Sequence, residues 1–144
     1  MNAKVRDVMT PGPIGVDYGQ TIGETARAMR DWGVGAVLVV DQEILCGLIT
    51  DRDLVVRAVA DAKGPDAMVG PLSSGNLIAV DVDADAHEAG RLMRQNAVRR
   101  LPVMEDGQVT GIVSLGDLAM ADEHAWALAA VSQVLARRAR ARCA

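Results

Sequence analysis

Apolar residues along this chain follow a strand rhythm, a helix rhythm and two further strand rhythms, and the series then begins again. Ile14-Gly15-Val16 is a short apolar stretch that reads as a strand. Thr21 stands three residues before Glu24, the spacing of a capping box in which each side chain satisfies a free amide at a helix start. Ile22, Ala26, Met29 and Trp32 recur at helical spacing, and Gly33 closes that helix. Ala36 to Val40 is a continuous apolar run, the pattern of a strand covered on both faces. Leu45 to Ile49 is the next strand, and Thr50 opens a second helix through Leu54, Val55, Ala58 and Val59.

Residues 16–54 are then rewritten without a gap as residues 80–118. Val16 falls on Val80, Asp17 on Asp81, Glu24 on Glu88, Met29 on Met93, Val39 on Val103, Gly47 on Gly111 and Asp53 on Asp117. In the second copy Asp85 and Glu88 start the first helix, with Leu92 and Met93 on its inner face. Leu101 to Met104 and Val109 to Val113 are strands joined across Asp106-Gly107, a hairpin-turn signal, and Ser114 opens the last helix. Residues 62–76 form a turn-rich connector, in which Asp66-Ala67-Met68-Val69 echoes Asp7-Val8-Met9-Thr10 ahead of the first copy. Beyond Leu118 the pattern predicts one long helix, with Leu128, Val131, Val134 and Leu135 as its apolar stripe and four arginines near its end. The predicted organisation is therefore repeat 1 over 1–62, repeat 2 over 63–120 with its lead-in at 63–76, and a C-terminal helix over 121–144. Two copies of one supersecondary unit usually pack face to face, and the cleft between them is a natural ligand site.

Composition narrows the function. Of 144 residues half are apolar, yet there is no Phe, one Tyr and two Trp, so aliphatic side chains must fill the core. Base-stacking platforms for single strands are excluded on that ground. The formal net charge of −4 argues against a general nucleic-acid binder, which needs a basic face for phosphates. No apolar run approaches the ~18 residues of a membrane span, and Met1-Asn2-Ala3-Lys4-Val5-Arg6-Asp7 leads into no signal-peptide core. Cys46 and Cys143 lie far apart without CxxC spacing, which points to a reducing compartment, and the expected localisation is cytoplasmic.

The chemistry resides in Gly47-Leu48-Ile49-Thr50-Asp51-Arg52-Asp53-Leu54 and Gly111-Ile112-Val113-Ser114-Leu115-Gly116-Asp117-Leu118. Each joins a strand to a helix, with a hydroxyl at the junction and an aspartate three residues on. One reading is structural: hydroxyl-x-x-carboxylate caps a helix start, and the acid also suits the helix dipole. The other is functional: free amides and a hydroxyl face an anion such as phosphate, while the aspartate accepts from a vicinal diol such as a ribose. The two roles can coexist, since a cap leaves acceptor capacity over.

With Asp7-Val8-Met9-Thr10-Pro11 and Val98-Arg99-Arg100-Leu101-Pro102-Val103, these strings resemble a tandem pair of cystathionine-β-synthase-type (CBS) domains, a Bateman module, over most of residues 4–120. Length and the extra helix are similar to small stand-alone actinobacterial CBS-pair proteins. The resemblance implies an α/β (α+β) fold of two β-α-β-β-α repeats packed as a pseudo-two-fold pair, usually in a disc-shaped homodimer. It implies a non-enzymatic regulatory sensor that needs no cofactor. The regulatory ligand it implies is adenosine-containing (AMP, ADP, ATP or S-adenosylmethionine), held in the cleft between repeats. It assigns ribose to Asp53 and Asp117, ribose or phosphate to Thr50 and Ser114, adenine to the surroundings of Met9, Thr10 and Val16, and phosphate to Arg99 and Arg100.

The copies are unequal. The counterparts of Arg99 and Arg100 are Gly35 and Ala36, Val69 replaces the lead-in threonine, and Leu38 stands where the second copy has Pro102. One phosphorylated-ligand site per chain is therefore expected. Arg99 and Arg100 also have a plain reading as a surface pair bonded to nearby carboxylates. A ligand-free dimeric interaction scaffold with the same fold is the alternative function, and 119–144 could carry a protein partner. No catalytic set is found: Asp81, Asp83, Asp85 and His87 alternate suggestively but lack the glycine and glutamate of a calcium loop. His87 and His124 have no partner at metal-ligand spacing, and nothing forms a nucleophile with its base.

Overall fold

The structure is a computed structural model that describes residues 3–73 and 77–121. In chain order its elements are α1 (Val5–Val8), β1 (Thr10–Pro11), β2 (Gly15–Asp17), α2 (Ile22–Trp32), β3 (Ala36–Asp41), β4 (Ile44–Thr50) and α3 (Asp51–Asp53). A π-helical stretch (Leu54–Val59) continues α3, and a 3-10 turn (Gly70–Leu72) follows the connector. Then come β5 (Val80–Asp81), α4 (Ala86–Asn96), β6 (Arg100–Glu105), β7 (Gln108–Ser114) and α5 (Leu115–Ala121). The C-terminal helix expected over 121–144 lies, but for Ala121, outside the described residues, as do His124, Trp126 and Cys143.

One compact unit is Gly12–Leu77. Its sheet runs β2-β3-β4, with β2 parallel to β3 (Val16 opposite Val39) and β3 antiparallel to β4 (Ala36 opposite Thr50). A parallel neighbour requires a crossover, which α2 supplies. Val37, Val39 and Ile49 are fully buried and cluster with Val16, Ile22, Met29, Leu54, Val69 and Leu72. The capping box forms as expected: Glu24 N donates to Thr21 Oγ1, and Thr21 N donates to Glu24 Oε2, each at 3.1 Å. The inner face of α2 differs from the expected one at two positions. Thr25 faces the core in place of Ala26, its hydroxyl bonded to the Thr21 carbonyl at 2.9 Å, and Trp32 is 70% exposed. A helix hydroxyl bonded one turn back needs no outside partner, so it can be buried.

Past Asp53 the helix widens: Ala60 N reaches back five residues to the Val55 carbonyl at 3.0 Å. Leu54 and Ala58 point inward, while Val55, Val56 and Val59 are exposed. The connector packs on this unit, with Val69 N donating to the Gln20 carbonyl and Gly70 N to that of Tyr18. The Tyr18 ring lies against Gly70, where a Cβ would stand 2.4 Å from ring carbons.

The other unit joins Met1–Pro11 to Ile78–Ala144, with sheet order β1-β7-β6-β5. Val5, Val80, Val82, Ala89, Met93, Leu101, Val103 and Val113 form its core. Val5 is fully buried and Val5 N donates to the Ala84 carbonyl at 2.9 Å. Ion pairs fasten the same segment: Lys4 to Asp85 at 3.0 Å, and Arg6 to Asp83 at 2.6 Å and Glu105 at 3.4 Å. Hydrogen bonding to Asp83 raises the Arg6 pKa above its usual value. Asp85 therefore bonds a lysine and caps nothing with its side chain, although it holds the N-cap position of α4.

The sequence copies and the compact units divide the chain differently. Boundaries at 62 and 63 follow the repeat, whereas the compact units part at Pro11/Gly12 and Leu77/Ile78. The reason is burial: Val5 fills the core of the second copy, and Val69 and Leu72 fill that of the first.

Internal duplication sets different residues on the same strained backbone. Gly33 ends α2 at φ 66°, but its counterpart Ala97 ends α4 at φ 52°. The β6–β7 turn uses Asp106 (φ 50°) and Gly107 (φ 79°), but the β3–β4 turn uses Gln42 (φ 48°) and Glu43 (φ 67°). A side chain in the left-handed region costs roughly 1–2 kcal/mol, partly offset by the freer unfolded chain of glycine. Ala97→Gly and Glu43→Gly should therefore each raise stability by about 0.5–1 kcal/mol, and Gly33→Ala should lower it similarly. Urea denaturation midpoints decide the matter; a loss of stability in both glycine variants would contradict the assignment of strain.

Candidate functional site

Each strand-to-helix junction is built the same way. In Gly12–Leu77, β4 ends at Thr50, whose backbone N donates to Asp53 Oδ2 at 2.9 Å while Asp53 N donates to Thr50 Oγ1 at 3.1 Å. Asp51 N donates to the Gly35 carbonyl at 3.0 Å, which ties the junction to the residue before β3. In the other unit Ser114 N donates to Asp117 Oδ2 at 2.7 Å, Asp117 N donates to Ser114 Oγ at 3.1 Å, and Leu115 N donates to the Arg99 carbonyl at 2.8 Å. The structural reading of these strings is thus realised in both copies. Of the functional one the carboxylate keeps an atom: each half-buried aspartate spends Oδ2 on the cap, and Oδ1 has no hydrogen bond among the described residues. The free amides expected to face a phosphate are not found at the first junction, where those of Thr50, Asp51, Arg52 and Asp53 are all bonded within the chain.

Six of the candidate residues gather in the unit that holds the second copy. Arg100 pairs with Ser114 across β6 and β7, and Arg99 precedes it. On the other side of β7, Thr10 pairs with Ile112. The Met9 sulfur and the Thr10 carbonyl both crowd Gly111. Met9, Thr10, Arg99, Arg100, Ser114 and Asp117 therefore border one end of a single sheet. Thr50 and Asp53 belong to the unit Gly12–Leu77, as does Val16, whose side chain is 3% exposed and packed in the core. Buried as a whole residue, Val16 offers no exposed surface for the adenine contact expected of it.

The two junctions differ in charge. Arg99 is exposed and Arg100 half-buried, and neither has a carboxylate partner among the described residues, in contrast to Lys4, Arg6, Arg30 and Arg91. The carboxylates that the surface-pair reading requires are not found among the described residues. The first copy presents Gly35 and Ala36 there and adds a carboxylate at Asp51, which accepts from Arg52 N at 2.8 Å. Two features are not signalled by the motifs: the extra acid at Asp51, visible against Leu115 once the copies are aligned, and the close approach of Met9 and Thr10 to Gly111. Among the described residues no three His, Cys, Asp or Glu side chains converge as a metal site, and no helix is long and apolar enough to cross a membrane.

Removing either hydroxyl strands an amide at a helix start. Thr50→Ala and Ser114→Ala should each cost about 1 kcal/mol of stability, as N-cap truncations do. Thermal and urea denaturation check this, and an unchanged midpoint in both would mean that the caps contribute nothing.

The CBS domain model matches residues 5–59 and 69–124, and the chain belongs to that family. It is 37% identical over 118 residues to the CBS domain-containing protein YhcV of Bacillus subtilis, covering 82% of this chain and 84% of that one. It is 34% identical over 116 residues to hypoxic response protein 1 of Mycobacterium tuberculosis, covering 79% and 81%. The crystal structure of hypoxic response protein I with two coordinated zinc ions superposes with a TM-score of 0.72 at 31% identity, covering 83% of this chain and 99% of that one. The CBS domain pair of MJ0100, in complex with 5′-methylthioadenosine and S-adenosyl-L-methionine, shares the fold at a TM-score of 0.76 and 23% identity, covering 84% and 96%.

Proposed function

We propose that this CBS-domain pair is a non-enzymatic, cytoplasmic regulatory module that binds an adenosine-containing ligand and passes the signal through a homodimer or a protein partner. The carrying observation is the doubled cap, in which Asp53 and Asp117 each keep one oxygen for a sugar diol, joined in one unit by two guanidinium groups without a carboxylate partner among the described residues. A carboxylate oxygen accepts from paired ribose hydroxyls, and planar guanidinium forks suit phosphate. The fold is one that accommodates adenosyl compounds, as the MJ0100 complex illustrates.

Charge assigns the ligand class. Arg99 and Arg100 favour AMP, ADP or ATP at the junction of the second copy, whereas the first copy has Gly35 and Ala36 in their place and sets Asp51 beside Arg52. One phosphorylated ligand per chain follows. Thr10, on the strand β1 that pairs with β7, and Met9 just before it are the natural neighbours of the base. Val55 and Val59, 60% and 69% exposed on the π-helical stretch, are apolar surface that a second copy would cover. They also favour the rival reading, a dimeric scaffold without ligand. A ligand shifts such an assembly only by its differential affinity for two states.

Thermal denaturation with AMP, ADP, ATP, S-adenosylmethionine and adenosine separates the readings. A ligand at about a hundredfold its Kd adds roughly 2.7 kcal/mol, which is several degrees for this size. No shift from any of them would leave the scaffold. The ribose contact has its own check. Asp117→Asn keeps an oxygen for the Ser114 amide but replaces the other acceptor by a donor, so affinity for AMP should fall about tenfold to a hundredfold. Arg99→Ala with Arg100→Ala should erase the preference for AMP over adenosine and leave adenosine binding in place.

A further inference from the structure

We propose that Gly111 is the seat that holds the Met9–Thr10 lead-in against β7, which makes it the positioning residue for the base side of the site. The ligand half of this inference rests on the function proposed above. β1 has two residues, Thr10 and Pro11, both exposed, so its pairing with Ile112 and Gly111 has little burial to sustain it. A Cβ at residue 111 would stand 2.7 Å from the Thr10 carbonyl oxygen and 2.7 Å from the Met9 sulfur. The sulfur ends a flexible side chain and can swing away. The carbonyl belongs to the main chain and cannot yield without moving the strand. Gly111 does not have a positive φ, so a glycine is needed there for space and not for backbone conformation.

The segment just before is anchored independently. Val5 is fully buried, Val5 N bonds the Ala84 carbonyl, and Met9 N bonds the Val5 carbonyl, each at 2.9 Å. A methyl group at 111 would therefore lift residues 9–11 as a strap hinged on α1 and leave the core of the unit closed. In the unit Gly12–Leu77 the counterpart of the lead-in, Asp66 to Val69, runs into the 3-10 turn Gly70–Leu72, where Gly70 lies against the Tyr18 ring.

Hydrogen exchange on the full chain without ligand tests the seat. In Gly111→Ala the amides of Thr10 and Ile112 should exchange about tenfold faster, with those of Val5, Met9, Leu101 and Val103 unchanged. Unchanged exchange at Thr10 and Ile112, or a uniform rise across the unit, overturns the proposal. Met9→Ala in the same background removes the sulfur contact and leaves the carbonyl one, so the loosening should persist. Its full reversal would reduce the seat to a side-chain contact and overturn it. Failure of both variants to fold would also overturn it, because a strap hinged at Val5 spares the core. Calorimetry then reads the ligand half: adenosine affinity should fall about tenfold in folded Gly111→Ala, and retained affinity overturns the positioning role. A wild-type chain that binds neither adenosine nor AMP sinks the functional reading and this ligand half together, while the exchange result still decides the seat.

Discussion

The reciprocal bond between a hydroxyl and an aspartate at the strand-to-helix junction is what the rest of each unit depends on. At Thr50/Asp53 and at Ser114/Asp117 it ends a half-buried strand, starts a helix and fixes a carboxylate in the first turn. Without it the last strand of the copy and the helix that follows would need another means of turning the chain. A second bond from the residue after the hydroxyl, Asp51 N to Gly35 O or Leu115 N to Arg99 O, locks the turn to the strand beside it. Sheet, helix and candidate site are thus set by a few polar atoms, and the aliphatic core fills in behind them.

This dependence explains what the sequence made legible. Hydroxyl-x-x-acid names its own hydrogen bonds, because both partners lie within one turn. The apolar runs at Ala36 to Val40 and Leu101 to Met104 name buried strands, and Asp106-Gly107 names its turn. What stayed hidden was long-range or chemically silent. The lead-in at residues 5–11 echoes the connector before the second copy, which suggests that each lead-in serves its own copy. Instead Val5 inserts beside Val80 and Val82, a contact no local pattern records. Ala97 and Glu43 adopt left-handed backbone without the glycine that would have announced it. Helical spacing could not distinguish an α-helix from the π-helical stretch that turns Val55, Val56 and Val59 outward.

For the candidate site, the residues were legible and their grouping was not. Duplication marked Thr50, Asp53, Ser114 and Asp117, and the loss of symmetry marked Arg99 and Arg100. That Met9 and Thr10 join Ser114 and Asp117 in one sheet depends on the exchanged lead-in, so it appeared only with the fold.

A cap and a ligand site can share an aspartate because they draw on different atoms. The cap takes Oδ2 and contributes on the order of 1 kcal/mol whether or not anything is bound. Oδ1 contributes only when a partner arrives, and the cost of ordering the side chain has by then been met by the fold. A carboxylate already held in place binds a diol with less entropy to lose than a free one. The same economy applies to divergence between copies. Since folding secures the hydroxyl and the acid, mutation can change residue 35 or 99 without breaking the cap, and ligand preference can drift while the fold stays. Two copies with one architecture and opposite local charge are the outcome that such a division of labour permits.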